Sequence, residues 1–400
     1  MIQTFAAVAI FVATYAVVAA GRVPGLHIDR AGAAFLGGAL MVASGVLSLD
    51  DAYRAIDFDT IALLLGMMVV VANLRLAGFF GVVTGWVVGR AGHPVLLLAG
   101  IVLTSGVLSA FLVNDTICLV LTPLVLDIVL HLKRTPLPYI LAIPLASNVG
   151  SVATITGNPQ NMIIGSLSHI PYGQFAAALA PVAAVGLVLT VAIIVAVWRG
   201  EFVRAGRLHA VAPRVRVQRA LLVKTLLVVA AVMVAFFAGV RPAEAALVGG
   251  ALLLPSRRIK VRRMFDEVDW TLLLMFCGLF VVVAGLERAV LTPDLVARVR
   301  LDGVAVLAGV TAVLSNVVTN VPAVLVLKPF MAGLADPARG WLVVAMAATL
   351  AGNFTVLGSV ANLIVVQRAR SRGVVVGFWS YFAVGAPLTV LSILAGVYML

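Results

Sequence analysis

Long apolar runs separated by short polar segments are the dominant pattern along this chain. Most runs are about as long as a helix needs to cross a bilayer, roughly 20 residues. They do not show the ~10-residue alternating segments of an outer-membrane barrel. The pattern predicts an all-α integral membrane protein, with apolar runs at 3–20, 31–49, 58–80, 95–131, 139–166, 174–198, 220–239, 242–255, 268–287, 303–332, 341–366 and 375–399.

Composition excludes soluble classes of protein. Of the 400 residues, 63% are hydrophobic and 11% are charged, whereas soluble domains average about 45–50% and about 25%. A soluble core cannot bury so much apolar surface. The first run lacks a basic leader and an obvious cleavage site, so we expect a retained span rather than a signal peptide. Cys118 and Cys277 both lie in apolar runs, and the histidines show no ligand spacing, so no metal site or cofactor is expected.

Polar residues interrupt four of the runs near their middles: 95–131, 139–166, 303–332 and 341–366. The first and third are too long for single spans, and we interpret them as re-entrant hairpins with tips at 113–116 and 318–322. The other two are interpreted as helices broken at 156–161 and 357–362. A break in lipid leaves costly bare backbone groups. Such breaks are typical of transporters, where the freed groups meet an ion or a polar substrate at the bilayer midplane.

The net charge of +12 predicts a topology rather than nucleic-acid binding, because the basic residues lie in the gaps between apolar runs. The basic segment from Arg199 to Lys224 is therefore placed in the cytoplasm. Counting outward from it, two re-entrant hairpins and about ten full spans keep most Lys and Arg inside. This interpretation predicts a bacterial inner-membrane protein with both termini outside.

The two halves of the chain match each other in the same order. Residues 108–123 match 314–329 at one constant offset, and 150–161 match 352–362 with one residue missing. Together with the topology, this match predicts an inverted repeat. The expected organisation is a first repeat at 1–198 (scaffold 1–80, hairpin 95–131, broken helix 139–166), a basic linker at 199–219, and a second repeat at 220–400 (scaffold 220–287, hairpin 303–332, broken helix 341–366).

Three short motifs carry a resemblance to a known group: Asn114-Asp115-Thr116 before Leu121-Thr122-Pro123, Gly157-Asn158-Pro159-Gln160-Asn161, and Thr319-Asn320-Val321-Pro322. Together they resemble the ion transporter superfamily, which includes divalent anion–sodium symporters, citrate carriers and arsenite-efflux permeases. The resemblance implies an elevator-type secondary transporter, often a homodimer through its scaffold.

Two departures from the superfamily pattern favour the arsenite-permease-like anion transporters over the dicarboxylate symporters. Neither tip has the Ser-Asn-Thr triplet of the dicarboxylate symporters. The second break, Gly358-Ser359-Val360-Ala361-Asn362, lacks the proline of the Gly-x-Pro-x-Asn motif.

The candidate substrate- or ion-binding residues are the polar and glycine residues at the four breaks: Asn114, Asp115, Thr116, Thr156, Gly157, Asn158, Asn161, Thr319, Asn320, Gly358, Ser359 and Asn362. Asp115 is the most informative, because an ionisable residue inside the membrane is a functional hypothesis by default. It either coordinates a cation, carries the coupling proton, or caps the second arm of its hairpin together with Asn114. The asparagines offer both a donor and an acceptor, to a substrate or to local backbone groups.

Lys328 is the second coupling candidate, because a lysine in an apolar segment is costly unless it is paired or functional. It lies eight residues after Asn320, about 12 Å along a helix. Two interpretations stay open. The lysine is a tethered cation that replaces a sodium ion or titrates, or its ammonium group reaches the membrane interface.

The sequence thus predicts a secondary active transporter of a small anion or oxyanion, of the arsenite/antimonite type or a carboxylate. Alternating access with proton coupling is favoured, and the coupling ion is H⁺ or Na⁺. The alternatives are a sodium-coupled dicarboxylate or citrate transporter, a cation/proton antiporter that uses Asp115, and a channel or non-transporting scaffold. No nucleotide-binding motif is present, so neither an enzyme nor an ATP-driven pump is expected, although a separate ATPase partner stays open. The expected partners are the solute, the bilayer and a second copy of the chain.

Overall fold

The computed structural model describes residues 2–20, 28–203, 208, 217–256, 259–290 and 301–400. These residues form helices joined by short segments, which confirms the all-α prediction. The helices of the first half are α1 (Ile2–Ala20), α2 (Arg30–Ala43), α3 (Leu49–Ala55), α4 (Phe58–Ala77), α5 (Phe79–Arg90), α6 (Pro94–Phe111), α7 (Asn114–His131), α8 (Pro136–Ser151), α9 (Pro159–Ser168), α10 (Tyr172–Val197) and α11 (Arg199–Phe202). A short 3₁₀ turn, Ile155–Gly157, lies between α8 and α9.

The second half repeats much of this order. Its helices are α12 (Arg219–Phe237), α13 (Pro242–Leu253), α14 (Val261–Phe265), α15 (Trp270–Ala289), α16 (Val304–Val318), α17 (Asn320–Met331), α18 (Pro337–Ala351), α19 (Val360–Arg370) and α20 (Phe378–Met399). A 3₁₀ turn, Val356–Gly358, lies between α18 and α19. Each half therefore contains a helical hairpin followed by a helix that is broken at a 3₁₀ turn.

Among the described residues, eight helices are long and apolar enough to cross a membrane: α1, α4, α6, α7, α10, α12, α15 and α20. The chain is thus a multi-pass membrane protein. Both arms of the first hairpin, α6 and α7, belong to this group, whereas the arms of the second hairpin are shorter. The predicted spans at 31–49 and 242–255 contain only the short helices α2 and α13, about 21 Å and 18 Å long. Re-entry of the hairpins stays a prediction.

The helices α4 and α15 start in the same way at corresponding places in the two halves. Asp57 Oδ1 accepts the backbone N–H of Thr60 at 3.2 Å, and Asp269 Oδ1 accepts that of Leu272 at 2.9 Å. These carboxylates satisfy donors that the first turn of a helix leaves bare. They fix the ends of α4 and α15, and the start of α15 forms part of the site described below.

Two close helix crossings place the halves against each other. A Cβ atom on Gly66 of α4 would lie 2.4 Å from the carbonyl of Ala246 in α13, and one on Gly278 of α15 would lie 2.4 Å from the carbonyl of Ala34 in α2. Small residues allow such backbone approach between membrane helices. In the first crossing, α4 of the first half supplies the glycine and α13 of the second half the carbonyl. In the second crossing the halves change roles, because α15 supplies the glycine and α2 the carbonyl.

We expect Gly66→Ala and Gly278→Ala each to destabilise the protein by about 1–3 kcal/mol, the usual cost of overpacking. In both cases the added methyl group meets backbone, which cannot rotate away. Thermal unfolding in detergent measures the effect. Gly309→Ala in α16 is the matched control, because its Cβ would have no neighbour within 4 Å. Wild-type stability in both crossing variants would contradict the packing described.

Besides the short helices α3, α11 and α14, one longer helix was not predicted from the sequence. The segment between the runs 58–80 and 95–131 forms α5, which packs against α6 and α7. It begins where Gly78, with φ of +85°, ends α4. Glycines interrupt the apolar residues of α5, and Arg90 ends it. The segment therefore contains no apolar run of membrane-spanning length.

The predicted basic linker 199–219 lies mostly outside the described residues. Its first part, α11, is held against the segment that follows α7. Arg134 Nε donates to Glu201 Oε1 at 2.7 Å, and Tyr139 Oη donates to the same carboxylate oxygen at 3.2 Å. These contacts tie the start of the linker to the hairpin region of the first half.

Candidate functional site

The two hairpin tips and both helix breaks meet around one cavity of about 60 Å³. A void needs about 10–15 Å³ to hold one water molecule, so this cavity has room for a few waters or a small solute. The lining residues come from the tips, the breaks and the scaffold helices α1, α2 and α15: Val18, Arg30, Asn114, Asp115, Pro159, Gln160, Leu272, Met275, Phe276, Thr319, Asn320, Val321, Pro322, Gly358, Ser359 and Val360.

The first break is held together by two asparagine side chains. Asn158 caps α9, because its Oδ1 accepts the backbone N–H of Asn161 at 2.8 Å. Asn161 Nδ2 donates back to the carbonyls of Ser151 at 3.1 Å and Thr154 at 3.0 Å. The carbonyls that α8 leaves unpaired at its end are therefore satisfied inside the protein. Asn161 serves the local backbone rather than the cavity.

The second break has the same construction. Asn362 Nδ2 donates to the carbonyls of Gly352 at 2.8 Å and Thr355 at 3.0 Å, and Ser359 caps α19 by accepting from Ala361 N. Asn161 and Asn362 each lie ten residues beyond their first carbonyl partner. Gly352 therefore corresponds to Ser151. The sequence match had paired Gly352 with Gly150 and left one residue missing. That pairing is wrong, because the two breaks have equal length.

Asn148 of α8 is the centre of a buried amide network that joins the halves. Its Nδ2 donates to Asn353 Oδ1 at 2.9 Å and to Asn362 Oδ1 at 3.1 Å. Its Oδ1 accepts from Asn114 Nδ2 at 3.1 Å and from Ser359 Oγ at 3.3 Å. All four hydrogen-bonding positions of this amide are thus used. The network fixes one hairpin tip against the opposite helix break.

A second contact between the halves mirrors the first. Asn158 Nδ2 donates to Thr349 Oγ1 at 3.3 Å, just as Ser359 donates to Asn148. Ser359 and Thr349 occupy the positions of the second half that correspond to Asn158 and Asn148. Gln160 Nε2 also donates to Thr349 Oγ1, at 3.0 Å. Reciprocal contacts of this kind are what a two-fold relation between the halves requires; the inverted orientation in the membrane stays a prediction.

The first hairpin tip presents two polar side chains, Asn114 and Asp115, to the cavity. The helix α7 begins after Val113, and no side chain caps it. The prediction that Asn114 or Asp115 caps this helix is therefore wrong, because Val113 is at the cap position and its side chain is apolar. Asn114 is buried, and its Oδ1 has no hydrogen-bond partner among the described residues. Such an unpaired acceptor beside a cavity is suited to receive a donor from a solute or water.

The second tip is built around Thr319 and Asn320. Thr319 has a φ of +72°, in the left-handed region that non-glycine residues rarely adopt. Ser315 Oγ lies 2.7 Å from the Asn320 amide. With the amide nitrogen turned towards Ser315, the Asn320 oxygen accepts from Gln160 Nε2 at 3.2 Å. The strained backbone at Thr319 positions the Asn320 side chain against Gln160 of the first break.

The cavity contains one guanidinium and one carboxylate. Arg30, at the start of α2, and Asp115, in the first turn of α7, both line it, and the two charges interact electrostatically. Asp269 at the start of α15 also acts on Asp115. Arg30 was not predicted to be a site residue, because in the sequence it is one of the basic residues of the loop before α2.

The structure brings six of the predicted residues to the cavity wall: Asn114, Asp115, Thr319, Asn320, Gly358 and Ser359. Asn158, Asn161 and Asn362 lie behind that wall, in the hydrogen-bond network.

Four candidates lie elsewhere. Thr156 Oγ1 pairs with Tyr172 Oη at 2.8 Å. A Cβ on Gly157 would lie 2.2 Å from the Ser151 carbonyl oxygen, so this glycine permits the break itself. Lys328 Nζ contacts Glu287 Oε2 at 3.4 Å beside a different cavity. Thr116 is half-buried but does not line the central cavity.

Sequence reasoning also missed Gln160, Asn148, Thr349 and Asn353. Gln160 lay within the quoted first-break motif, so its position carried a usable signal. Asn148 and Asn353 are amides in otherwise apolar or small-residue segments, which is also a signal, since buried amides need partners. Thr349 offered none, because threonine is common in apolar helices.

An all-helical membrane protein whose helix breaks meet at a small polar cavity is a transporter of small solutes. The chain belongs to the citrate transporter family: the model of that family, CitMHS, matches residues 9–351. This finding confirms the resemblance to the ion transporter superfamily.

Relatives agree with this assignment, and a solved structure shares the fold. An uncharacterized transporter of Mycobacterium tuberculosis is 32% identical, over 98% of this chain and 97% of the relative. The silicon efflux transporter LSI3 of Oryza sativa subsp. japonica is 28% identical, over 94% and 93%. The structure of Neisseria gonorrhoeae MtrF superposes with a TM-score of 0.63 at 12% identity, over 100% of this chain and 94% of that chain. The last similarity concerns the fold alone.

Proposed function

We propose that this protein is a proton-coupled secondary transporter of a small, hydroxyl-rich oxyacid, of the arsenite, antimonite or silicic acid type, in a bacterial inner membrane. The observation that carries the proposal is the central cavity. It is small, and its polar lining consists of amides and hydroxyls with one guanidinium and one carboxylate. Such groups hydrogen-bond a neutral or singly charged oxyacid in several directions.

Charge supports a small oxyacid over citrate. Arg30 and Asp115 together give the cavity wall no net charge. A tricarboxylate would need more than one cation to replace its water shell, because burying unpaired charge is costly. The transport of silicon by a relative with 94% coverage of this chain supports the same solute class.

Asp115 is the proposed proton carrier. It lines the central cavity together with Arg30. Protonation removes its charge and frees the Arg30 guanidinium to contact the solute, so that proton binding favours solute binding. The proposed transport cycle is an elevator motion, in which the hairpins and broken helices move against a scaffold that pairs two copies of the chain.

A sodium-coupled citrate transporter is the second candidate, because the family description names citrate. The two are separated in proteoliposomes made with the full chain. We expect arsenite or silicic acid to accumulate under an imposed pH gradient, with no requirement for sodium. Citrate should not accumulate. Protein-free liposomes are the control, since neutral oxyacids also leak through lipid.

Sodium-dependent citrate uptake without oxyacid uptake would reject the proposal and favour the second candidate. Oxyacid flux that runs only down its own gradient and ignores pH would instead indicate a channel. Thermal stabilisation of the purified protein by the transported solute provides an independent measure, because a ligand that binds only the folded state stabilises it.

A further inference from the structure

Two polar cavities lie one after the other along the same pair of helices, α15 and α17. Around the central cavity, α15 contributes residues up to Phe276 and α17 contributes residues up to Pro322. Around a second cavity of about 570 Å³, α15 contributes residues from Phe280 onward and α17 contributes residues from Leu325 onward. Both helices therefore run in the same direction, from the central cavity to the second one.

A thin apolar barrier separates the two cavities. Phe276 and Phe280 are one helical turn apart, about 6 Å along the axis of α15. Phe276, Phe280 and Leu325 are 1%, 6% and 2% exposed. These side chains close the route between the cavities to water and polar solutes.

The second cavity has a strongly charged wall, with three acidic and three basic residues: Asp51, Arg54, Asp57, Glu287, Arg288 and Lys328. Asp51 and Arg288 form an ion pair, which holds α3 to α15. Charged residues near membrane helices usually face water-filled cavities. The lining is therefore that of a hydrated mouth rather than of a structural void.

One ion pair crosses from α15 to α17 at this mouth. Lys328 Nζ lies 3.4 Å from Glu287 Oε2, with the side chains 42% and 26% exposed. A pair of this exposure contributes little stability, so it can break and reform easily. Glu287 Oε1 has no hydrogen-bond partner among the described residues. The pair therefore resembles a reversible contact rather than a fixed structural element.

Among the described residues, the corresponding positions of the first half form no equivalent contact. Arg75 and Thr122 of the first half occupy the positions of Glu287 and Lys328. Arg75 forms an ion pair with Glu267, which precedes α15, rather than with the hairpin arm α7. Within the part of the chain that the structure describes, a scaffold-to-hairpin ion pair at these positions thus occurs only beside the second cavity.

We propose that the second cavity is one of the two openings of the solute pathway. We further propose that the Glu287–Lys328 ion pair is a latch, meaning a contact that holds this opening closed. The proposal deepens the proposed function and rests on it for the solute, a small hydroxylated oxyacid. When α17 moves away from α15, the ion pair breaks and Phe280 separates from Leu325. The central cavity then opens into the second one.

Thiol labelling tests the latch without any solute. The parent is a variant without native cysteines, Cys118→Ala/Cys277→Ser, with Val360→Cys as reporter in the wall of the central cavity. A membrane-impermeant maleimide is added to intact cells and, separately, to inside-out vesicles. On the side of the second cavity, Glu287→Gln and Lys328→Gln should each raise the labelling rate about two- to fivefold, as expected for loss of a weak ion pair. The exchange variant Glu287→Lys/Lys328→Glu should return the rate to that of the parent.

Arg241→Gln is the matched control, because it removes an exposed ion pair with Glu244 that lies away from α15 and α17. It should leave labelling unchanged. Parental labelling in both folded single variants, or failure of the exchange variant to restore the parental rate, would overturn the latch. Size-exclusion chromatography checks folding, and each single variant removes the same contact independently. Increased labelling in a protein that transports no oxyacid would reject the proposed solute and keep the latch.

Discussion

We expect replacement of Asp115 by asparagine to reduce oxyacid uptake driven by a pH gradient to the level of protein-free liposomes. Asparagine has nearly the same shape as aspartate, and its amide offers both an acceptor and a donor as the protonated acid does, but it cannot release a proton. The wall of the central cavity is therefore preserved while the proposed proton carrier is lost. We expect the purified variant still to be stabilised by the solute. That stabilisation should no longer change with pH, whereas it should do so in the wild-type protein.

Asp127→Asn is the matched control for this experiment. Asp127 lies on the same helix, α7, but pairs with Arg372 and is largely exposed. Its replacement should leave uptake within about twofold of wild type, as surface ion pairs contribute little. Persistent pH-driven uptake in Asp115→Asn would reject proton transfer through this residue. Loss of solute binding together with transport would assign Asp115 to the solute rather than to the proton.

The sequence predicted those features of the fold that depend on local chemistry. Long apolar runs must become helices in a bilayer, because only helices satisfy the backbone there within one segment. The first break was found from Asn158 and Pro159 for a similar reason: Asn158 is a good cap, and a proline is tolerated at the first position of a helix but not within it. The second break lacks the proline and was found from the match between the halves.

Features that depend on packing between distant segments were not predictable from one chain. The run 31–49 gave only a weak sign that α2 stops at Ala43, the pair Ser44-Gly45, because apolar residues follow it again. Thr156 and Asn158 looked equally suitable for the site. The contact of Thr156 with Tyr172 decides that only Asn158 turns towards the opposite half. Arg30 is part of the site only because the start of α2 lines the same cavity as the first hairpin tip, which lies more than 80 residues away in the sequence.

Asn148 is the residue whose importance depends most on such tertiary contacts, and we expect Asn148→Ala to destabilise the protein by about 3–5 kcal/mol. The truncation leaves Asn114, Asn353, Asn362 and Ser359 each without one buried partner. Every buried polar group that loses its partner costs about 1–3 kcal/mol, and water entering the space offsets part of the sum. Solute binding should fall as well, because the first hairpin tip and the second break lose their common support.

Asn73→Ala separates this effect from the general cost of removing a buried amide. Asn73 is fully buried in α4, but its Nδ2 donates only within its own helix, to the carbonyl of Val69 at 2.9 Å. Its Oδ1 has no partner among the described residues, so its removal should change stability by less than about 1 kcal/mol. Thermal unfolding in detergent, with and without solute, compares the two variants. If Asn148→Ala were no less stable than Asn73→Ala, the amide network would not be what holds the two halves together at the site. Their cohesion would then come from helix packing between the halves, which includes the close crossings at Gly66 and Gly278.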